Sequence, residues 1–331
     1  MSKLDFIDKD LTIKEPPDFT VISTFAGCGG SSTGYVWAGG KVLLAVEWNN
    51  NAAETYKLNY PTTPVYCSNI ANLSVEECIS LAGVQPGRLD ILDGLPPCQG
   101  FSTAGKRKIG DRRNQLFREF VRLLRGLRPK VFVMENVSGL VKGKMKLIFA
   151  EIMQELKGSG YRVSCRLMNT MYFGVPQSRR RLIFIGVRDD LGIEPSYPKA
   201  QTRPIVARDA IGFLAEERKE LQLTAKGYEV WKRNGNFNSV RLLPNRVANT
   251  VTGTQRPHGV TGLSHWHWPQ SLAVEELACL SSFPNCFEWV GKYSTKSSCI
   301  GNSVPPRFMQ AIAEHIYNVI LLPSKQAETK R

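Results

Sequence analysis

Short apolar runs alternate with amphipathic stretches through the first half of the chain. FTVIST (19–24), KVLLAVEW (41–48), PVYCSNI (64–70), LDILDGLPP (89–97) and KVFVMENV (130–137) read as strands, the fourth stopped by its prolines. Between them, GCGGSSTGYVWAG is a glycine-rich turn running into a helix, and NNAAETYKLNY reads as helical. NQLFREFVRLLRGLRP carries apolar residues at helical spacing, with Pro129 just past its end. MKLIFAEIMQELKGSGY is a helix closed by glycines, and YRVSCRLMN and RRRLIFIGVR are two further strands. This alternation predicts an α/β fold, a mostly parallel sheet with helices on both faces. Ligands of such sheets sit beyond the carboxyl ends of the strands.

The pattern breaks near residue 190. DDLGIEPSYPKAQTRP is proline-rich and irregular, and GYEVWKRNGNFNSVRLLPNR and SHWHWP interleave basic and aromatic residues without a strong period. Order returns with GNSVPP and the amphipathic RFMQAIAEHIYNVILL. The expected division is a polar lead-in (1–19), a sheet domain (20–190), a smaller irregular domain (191–285), a C-terminal segment returning to the sheet domain (286–320) and a frayed tail (321–331).

Composition narrows the class. Of 331 residues, 42% are hydrophobic and 22% charged, which suits one large core plus a smaller second lobe. No apolar run approaches the roughly 18 residues of a membrane span, and the N-terminus lacks the apolar stretch of a secretory signal. The cysteines form no CxxC pair, which points to reduced thiols in a cytoplasmic protein. Cys279 and Cys286, near His258, His265 and His267, match no zinc spacing, so no metal is expected. Lys and Arg number 43 against 29 Asp and Glu, a net charge of +14 that suits a polyanion partner. The sign of the charge does not separate DNA from RNA.

Five short segments carry candidate chemistry. FAGCGGSS (25–32) follows the first strand and opens a helix, where small residues and free N–H groups let a ligand approach the backbone. It is not GxGxxG, so a dinucleotide is not implied. Glu47 ends the second strand, where a carboxylate can accept both hydroxyls of a ribose, and Trp48 can cover a nucleoside face. In PPCQ, two prolines preset the position of the Cys98 thiol; packing, metal ligation and nucleophilic attack are its alternatives. Parallel pairing of the fourth and fifth strands would bring Glu135 near it, and QSRRR (177–181) would put Arg179 and Arg181 on one face of an extended segment. All four histidines fall outside the sheet segment, which disfavours a Cys-His hydrolase. A thiol with a glutamate and arginines suits addition to cytosine C6 with protonation of N3, which makes C5 nucleophilic.

FAGCGG, GLPPCQGFS, DRRNQLF, MENV, QSRRR and GNSVPP occur in an order and spacing that resemble the bacterial, archaeal and phage DNA (cytosine-5)-methyltransferases, from residue 20 to about 190 and again from about 270 to 318. The resemblance implies a Rossmann-like S-adenosylmethionine-dependent methyltransferase fold, with 20–190 catalytic and 191–285 a small target-recognition domain. It implies S-adenosylmethionine as methyl donor, released as S-adenosylhomocysteine. The donor's site maps to Phe25, Gly27, Gly29, Gly30, Glu47, Trp48, Asn69, Ile70, Pro97, Leu116, Asn302 and Val304. Cys98 is implied as nucleophile and Glu135 as proton donor to N3; Arg179 would contact the cytosine region, Arg181 would orient Glu135, and Gln177 joins the catalytic group. The partner is double-stranded DNA with its target base flipped out. The loop CQGFSTAGKRKIGDRRN would close over that base, hinged at Gly100, Gly105 and Gly110, with Gln99, Ser102, Lys106, Arg107 and Lys108 meeting DNA. In NTVTGTQRP (249–257), Thr250, Thr252 and Arg256 are candidate base or phosphate contacts. The setting implied is a monomeric, nucleoid-associated methylase of a restriction-modification system, or an orphan or phage enzyme. A cognate endonuclease would be its genetic rather than physical partner.

Three departures from that pattern stand out. Asn69 replaces an aspartate, so a contact to an adenine amino group would go through the amide carbonyl. Glu275, Cys279 and Ser281 stand where arginines and a glutamine are expected, and Gln270 and Ser271 where an arginine is. These bear on packing of the small domain more than on chemistry. Two other readings share the same residues: an RNA cytosine-5 methyltransferase, and a DNA-binding protein without catalysis. The presence of Cys98, Glu135, Arg179 and Arg181 argues against the latter.

Overall fold

Apolar residues fill the strands of the main sheet nearly without alternation because both of its faces are covered. The computed structural model describes residues 4–96, 116–143, 145–200, 203–236, 238–258 and 261–329. Its strands are β1 (Phe19–Thr24), β2 (Gly40–Val46), β3 (Val65–Tyr66), β4 (Ile91–Gly94), β5 (Val131–Val137), β6 (Tyr161–Asn169) and β7 (Arg180–Arg188), in the order β3-β2-β1-β4-β5-β7-β6. β1 to β5 pair in parallel, whereas β7 runs antiparallel to both β5 and β6. The strand order reverses between β1 and β4, so their carboxyl ends open the crevice in which such sheets bind ligands. The expected α/β, mostly parallel architecture is present.

The helices are α1 (Gly30–Trp37), α2 (Asn50–Asn59), α3 (Val75–Ala82), α4 (Leu116–Leu127), α5 (Met145–Lys157), α6 (Ala207–Ile211), α7 (Ala225–Lys232), α8 (Val274–Leu280), α9 (Tyr293–Asn302), α10 (Pro306–Ile316) and α11 (Leu322–Thr329). Local chemistry sets several boundaries. Asn49 Oδ1 caps α2 by accepting the Ala52 N–H at 3.1 Å. Ser74 caps α3 through the Glu77 N–H at 3.0 Å, and Gly83 closes it in the left-handed region at φ 62°. Pro306 begins α10, where its missing N–H costs nothing.

Alternate residues of β5 feed two different cores. Phe132 and Met134 pack with Leu92, Phe120, Leu124 and Ile152 beneath α4 and α5. Val131 and Val133 pack with Ile91, Tyr35, Phe308 and Met309 beneath α1 and α10. A third core joins Ala26, Cys28 and Tyr56 to Ala207, Leu272, Leu277 and Phe283. Besides α6 and α7, the region from about 200 to 270 holds a short parallel pair, β8 (Ser239–Arg241) and β9 (Gly262–Ser264).

Both ends differ from expectation. The lead-in is anchored rather than merely polar: Phe6 is fully buried, Leu4 and Ile7 lie beside it in the third core, and Arg307 pairs with Asp5 at 2.6 Å. The stretch read as a frayed tail continues helical through Thr329. There Lys325 Nζ donates to the Asp18 carbonyl at 2.7 Å, and Glu328 lies 3.3 Å from Lys130. Neither end carries a periodic apolar pattern, which is why pattern reading passes over them.

The residues that depart from the resembled pattern are accommodated. Cys279 is buried and donates to the Ala210 carbonyl at 3.2 Å, tying α8 to α6, while Glu275 is exposed. Gln270 is fully buried, accepting from Arg218 N at 2.8 Å and donating to the Glu216 carbonyl at 2.7 Å. Ser271 Oγ donates to the Arg256 carbonyl at 3.1 Å.

The contact between α1 and α10 depends on a glycine. A Cβ at Gly34 would stand 2.6 Å from both Met309 Cβ and the Pro306 carbonyl oxygen. Gly34→Ala should therefore destabilise the protein by about 1–3 kcal/mol despite alanine's higher helix propensity, read as a lower urea midpoint.

Candidate active site

The sheet's polar residues gather at its carboxyl edge. Just beyond β1, Phe25 adopts φ 55°, an uncommon conformation for a non-glycine residue, and Gly27 follows at φ 57°. Among the described residues nothing lies within 4 Å of where a Cβ on Gly27 would point, so its flank is open there. Its N–H donates to Glu47 Oε2 at 2.8 Å, and Asn49 N–H donates to Oε1 at 2.8 Å. Burial raises the Glu47 carboxyl above its ordinary range, while those N–H groups oppose the rise. Beside it Trp48 is 75% exposed, an indole face open to solvent.

Not all of the glycine loop faces that opening. A Cβ on Gly29 would meet Tyr60 at 3.0 Å, and one on Gly30 would strike the Val304 carbonyl and lie 2.9 Å from Ser303 Cβ. These two glycines serve close packing of the chain on itself. Cys28 also turns inward, 3.1 Å from Ser303 Oγ, and burial pushes its thiol well up. Val304 is buried, whereas Asn302 is exposed at the end of α9. Asn69 Oδ1 accepts the Ala71 N–H at 3.0 Å, Ile70 sits in the core beneath α4, and Leu116 begins α4 half-buried.

The second group lies on β5 and β7. Glu135 is buried near the end of β5, and Arg181 Nε approaches its Oε1 at 2.6 Å. Arg179, immediately before β7, is buried; Nη1 donates to the carbonyls of Val251 at 3.0 Å and Gly301 at 2.9 Å. Its Nε has no hydrogen-bond partner among the described residues. Burial first, then Arg181, pulls the Arg179 guanidinium down to about 9, with Glu135 opposing, so it stays a cation at neutral pH. β4 and β5 pair in parallel up to Gly94 and Met134, which directs the chain after Gly94 toward the same edge as Glu135. Cys98 itself lies outside the described residues, as do Pro97, Gln99, Gly100, Ser102, Gly105, Lys106, Arg107, Lys108 and Gly110.

Gln177 is placed as a joint. Its Nε2 donates to the Leu280 carbonyl and to Ser281 Oγ, both at 3.2 Å, and its Oε1 accepts the Val251 N–H at 2.9 Å. Thr250 Oγ1 donates to the Ser178 carbonyl at 2.8 Å, so its hydroxyl is committed within the protein. Thr252 and Arg256 are exposed. The strip 248–252 thus docks against 177–179 and the α9 terminus.

Asp93 was not singled out by its sequence. It is fully buried on β4, accepting from Ser23 Oγ at 2.9 Å, Ser31 Oγ at 2.8 Å and Tyr35 OH at 3.1 Å. The available signal was an acid within an otherwise apolar strand, opposite serines on β1 and α1.

The family model of C-5 cytosine-specific DNA methylases matches residues 19–318. The chain belongs to that family. It is a DNA cytosine-5 methyltransferase, with relatives aligned over most of their length. A type II methyltransferase of Haemophilus parahaemolyticus, M1.HphI, is 36% identical over 326 residues, spanning 90% of this chain and 86% of that protein. M.DdeI of Desulfomicrobium norvegicum is 30% identical, spanning 94% and 92%. A prophage-encoded protein of E. coli, described as a DNA modification methyltransferase, superposes with a TM-score of 0.74 over 92% of this chain and 99% of its own. At 24% identity that likeness speaks to the fold alone.

The joint at Gln177 gives the methylase a testable weak point. Gln177→Ala should leave the buried Val251 N–H and Leu280 carbonyl without these partners and cost about 2–4 kcal/mol. Faster hydrogen exchange at Val251 than at β1 amides would localise the loss; equal exchange at both would refute it.

Proposed function

We propose that this methylase acts on a flipped-out cytosine in a short duplex DNA site through a covalent bond between Cys98 Sγ and cytosine C6. The observation that carries this reading is the buried Glu135–Arg181 pair, with Arg179 beside it, at the edge toward which β4 leads the chain to Cys98. The thiolate of Cys98 adds to C6, and Glu135, protonated, gives its proton to N3, so charge does not build up on the ring. The resulting enamine is nucleophilic at C5. Arg181 fixes the direction of the Glu135 carboxyl group, and the Nε of Arg179, which has no partner among the described residues, is suited to a polar atom of the base or of the nucleophile loop.

The residues at the β1–β2 end fit a nucleoside-bearing donor: an open glycine flank, a half-satisfied carboxylate and an exposed indole stand together. S-adenosylmethionine, when bound, supplies an electrophilic methyl group. Phe25, Gly27, Glu47, Trp48, Asn69, Ile70, Pro97, Leu116, Asn302 and Val304 are the residues we assign to hold it. Gly29 and Gly30 support the loop from behind. The net charge of +14 suits a phosphate backbone, and exposed Thr252 and Arg256, with Gln99, Ser102, Lys106, Arg107 and Lys108, are the assigned DNA contacts. Likeness to type II methyltransferases along nearly the whole chain supports a role in restriction-modification.

The decisive test compares wild type with Cys98→Ser on duplex DNA containing 5-fluorocytosine. Wild type should give a denaturation-resistant adduct and the variant none, with methyl transfer to ordinary DNA falling by at least about a thousandfold. Methylation by Cys98→Ser at the wild-type rate would exclude the covalent route. Preferential methylation of tRNA over duplex DNA would overturn the substrate assignment.

A further inference from the structure

We propose that Cys28 and Cys299 are a redox-responsive thiol pair behind the donor site, converted by a hydroperoxide to a disulfide that weakens binding of the methyl donor. The control of binding rests on the donor assignment above; the pairing of the thiols does not. Cys28 sits in the glycine loop between β1 and α1, and Cys299 near the end of α9. Cys28 turns inward and stands 3.1 Å from Ser303 Oγ. Ser303 follows Cys299 by four residues, so both side chains lie on one face of the helix end. Ser303 Oγ spends its proton on the Cys299 carbonyl at 2.7 Å. The same face brings the Cys299 thiol into hydrogen-bonding contact with Cys28. Backbone packing holds the two segments together: a Cβ on Gly30 would lie 2.9 Å from Ser303 Cβ and would strike the Val304 carbonyl.

The two thiols differ in their surroundings. Cys28 is buried, whereas Cys299 is half-buried. Burial, then Cys299, pushes the Cys28 thiol well up, so it keeps its proton. The contact with Cys28 draws the Cys299 thiol below its ordinary range, against burial and the charge of Glu47. Burial instead raises the thiols of Cys78, Cys165 and Cys279. Cys299 is therefore the thiol that a hydroperoxide meets first, and Cys28 is its resolving partner. The Cys299 thiolate attacks the outer peroxide oxygen; an S–O bond forms, the O–O bond breaks, and the leaving oxygen takes a proton. Cys28 Sγ then attacks the Cys299 sulfur; the S–S bond forms, the S–O bond breaks, and hydroxide leaves with the Cys28 proton as water. Two thiols lose two electrons and two protons, and one hydroperoxide is reduced.

Gly27 and Gly29 bracket Cys28 at φ 57° and 104°, so this residue can swing without moving β1 or α1. An S–S bond is shorter than a thiol–thiol hydrogen bond, so Cys28 must move toward α9. Gly30 cannot follow, because the backbone of 303–304 already fills its flank. The motion falls on Gly27, whose N–H holds Glu47 Oε2 at 2.8 Å. The carboxylate assigned to the donor then loses one of the N–H groups that aim it.

The test uses Cys98→Ser protein, so that the thiol assigned to catalysis takes no part. Each thiol of the pair is the sole cysteine of its tryptic peptide, residues 15–41 and 297–307, so one cross-linked mass identifies the bond. Hydrogen peroxide should produce that mass, dithiothreitol should remove it, and Cys299→Ser should lack it. By calorimetry, Kd for S-adenosylhomocysteine should rise about tenfold on oxidation and return on reduction. In Cys299→Ser, peroxide should leave Kd where it was. Cys28→Ser, or Cys28→Ala where that folds poorly, should leave Cys299 as a sulfenic acid that dimedone labels. Absence of the cross-link overturns the pairing, and a cross-link that leaves Kd unchanged overturns the control. A protein that cross-links yet binds no donor even when reduced overturns the donor assignment and the control with it, and leaves the disulfide standing.

Discussion

One buried guanidinium holds together three parts of the chain that are remote in sequence. Arg179 Nη1 bonds the carbonyls of Val251 and Gly301, joining the start of β7 to the strip 248–252 and to the end of α9. Burying a cation is unfavourable unless its donors are matched, and carbonyls match them without neutralising the charge. The charge remains for Glu135 to feel. With Arg179 fixed, Arg181 follows two residues later on the adjoining strand and reaches Glu135. Close packing completes the joint: a Cβ at Gly301 would run into the Thr252 backbone.

The face of the sheet beneath α1 changes character along its strands. Val21, Ile91 and Val133 are apolar, and beyond them come Ser23, Asp93 and Glu135 at the carboxyl edge. The apolar portion supplies cohesion, and the polar portion is tolerable because each group finds a donor or a counter-charge. The polar groups assigned above to the reaction thus stand where the core ends, on strands whose apolar portions are fully buried. The antiparallel β7 serves the same purpose, since reversing its direction brings the QSRRR segment to the end where β5 finishes.

The main sheet was legible because its strands are continuous apolar runs punctuated by prolines and glycines, and because Glu47 and Glu135 stand at the ends of such runs. The glycine loop was legible only in part. Four small residues look alike in sequence, yet Gly27 opens outward while Gly29 and Gly30 receive Tyr60 and Val304. Asp93 escaped notice because its partners Ser23, Ser31 and Tyr35 come from two other elements, and no local pattern unites them. The stretch after residue 190 showed no period because its core is shared: Ala207 and Leu277 pack with Phe6 and Cys28 from much earlier in the chain. The positions of Glu275, Cys279 and Ser281 could not be judged from residue type, since a thiol to a carbonyl and a hydroxyl to an amide fill the volume well.

The packing of α10 on α1 has a consequence for how the molecule comes into being. The backbone that closes behind Gly30 belongs to Ser303 and Val304, and the surface that covers Gly34 belongs to Pro306 and Met309. As the chain leaves the ribosome, the first helix emerges with its future partner still untranslated. The crevice at the head of the sheet therefore stays unbuttressed until residues 303–309 are made, its apolar wall in want of cover. In a nascent methylase α10 and the turn before it, translated long after α1, complete the support for that first helix.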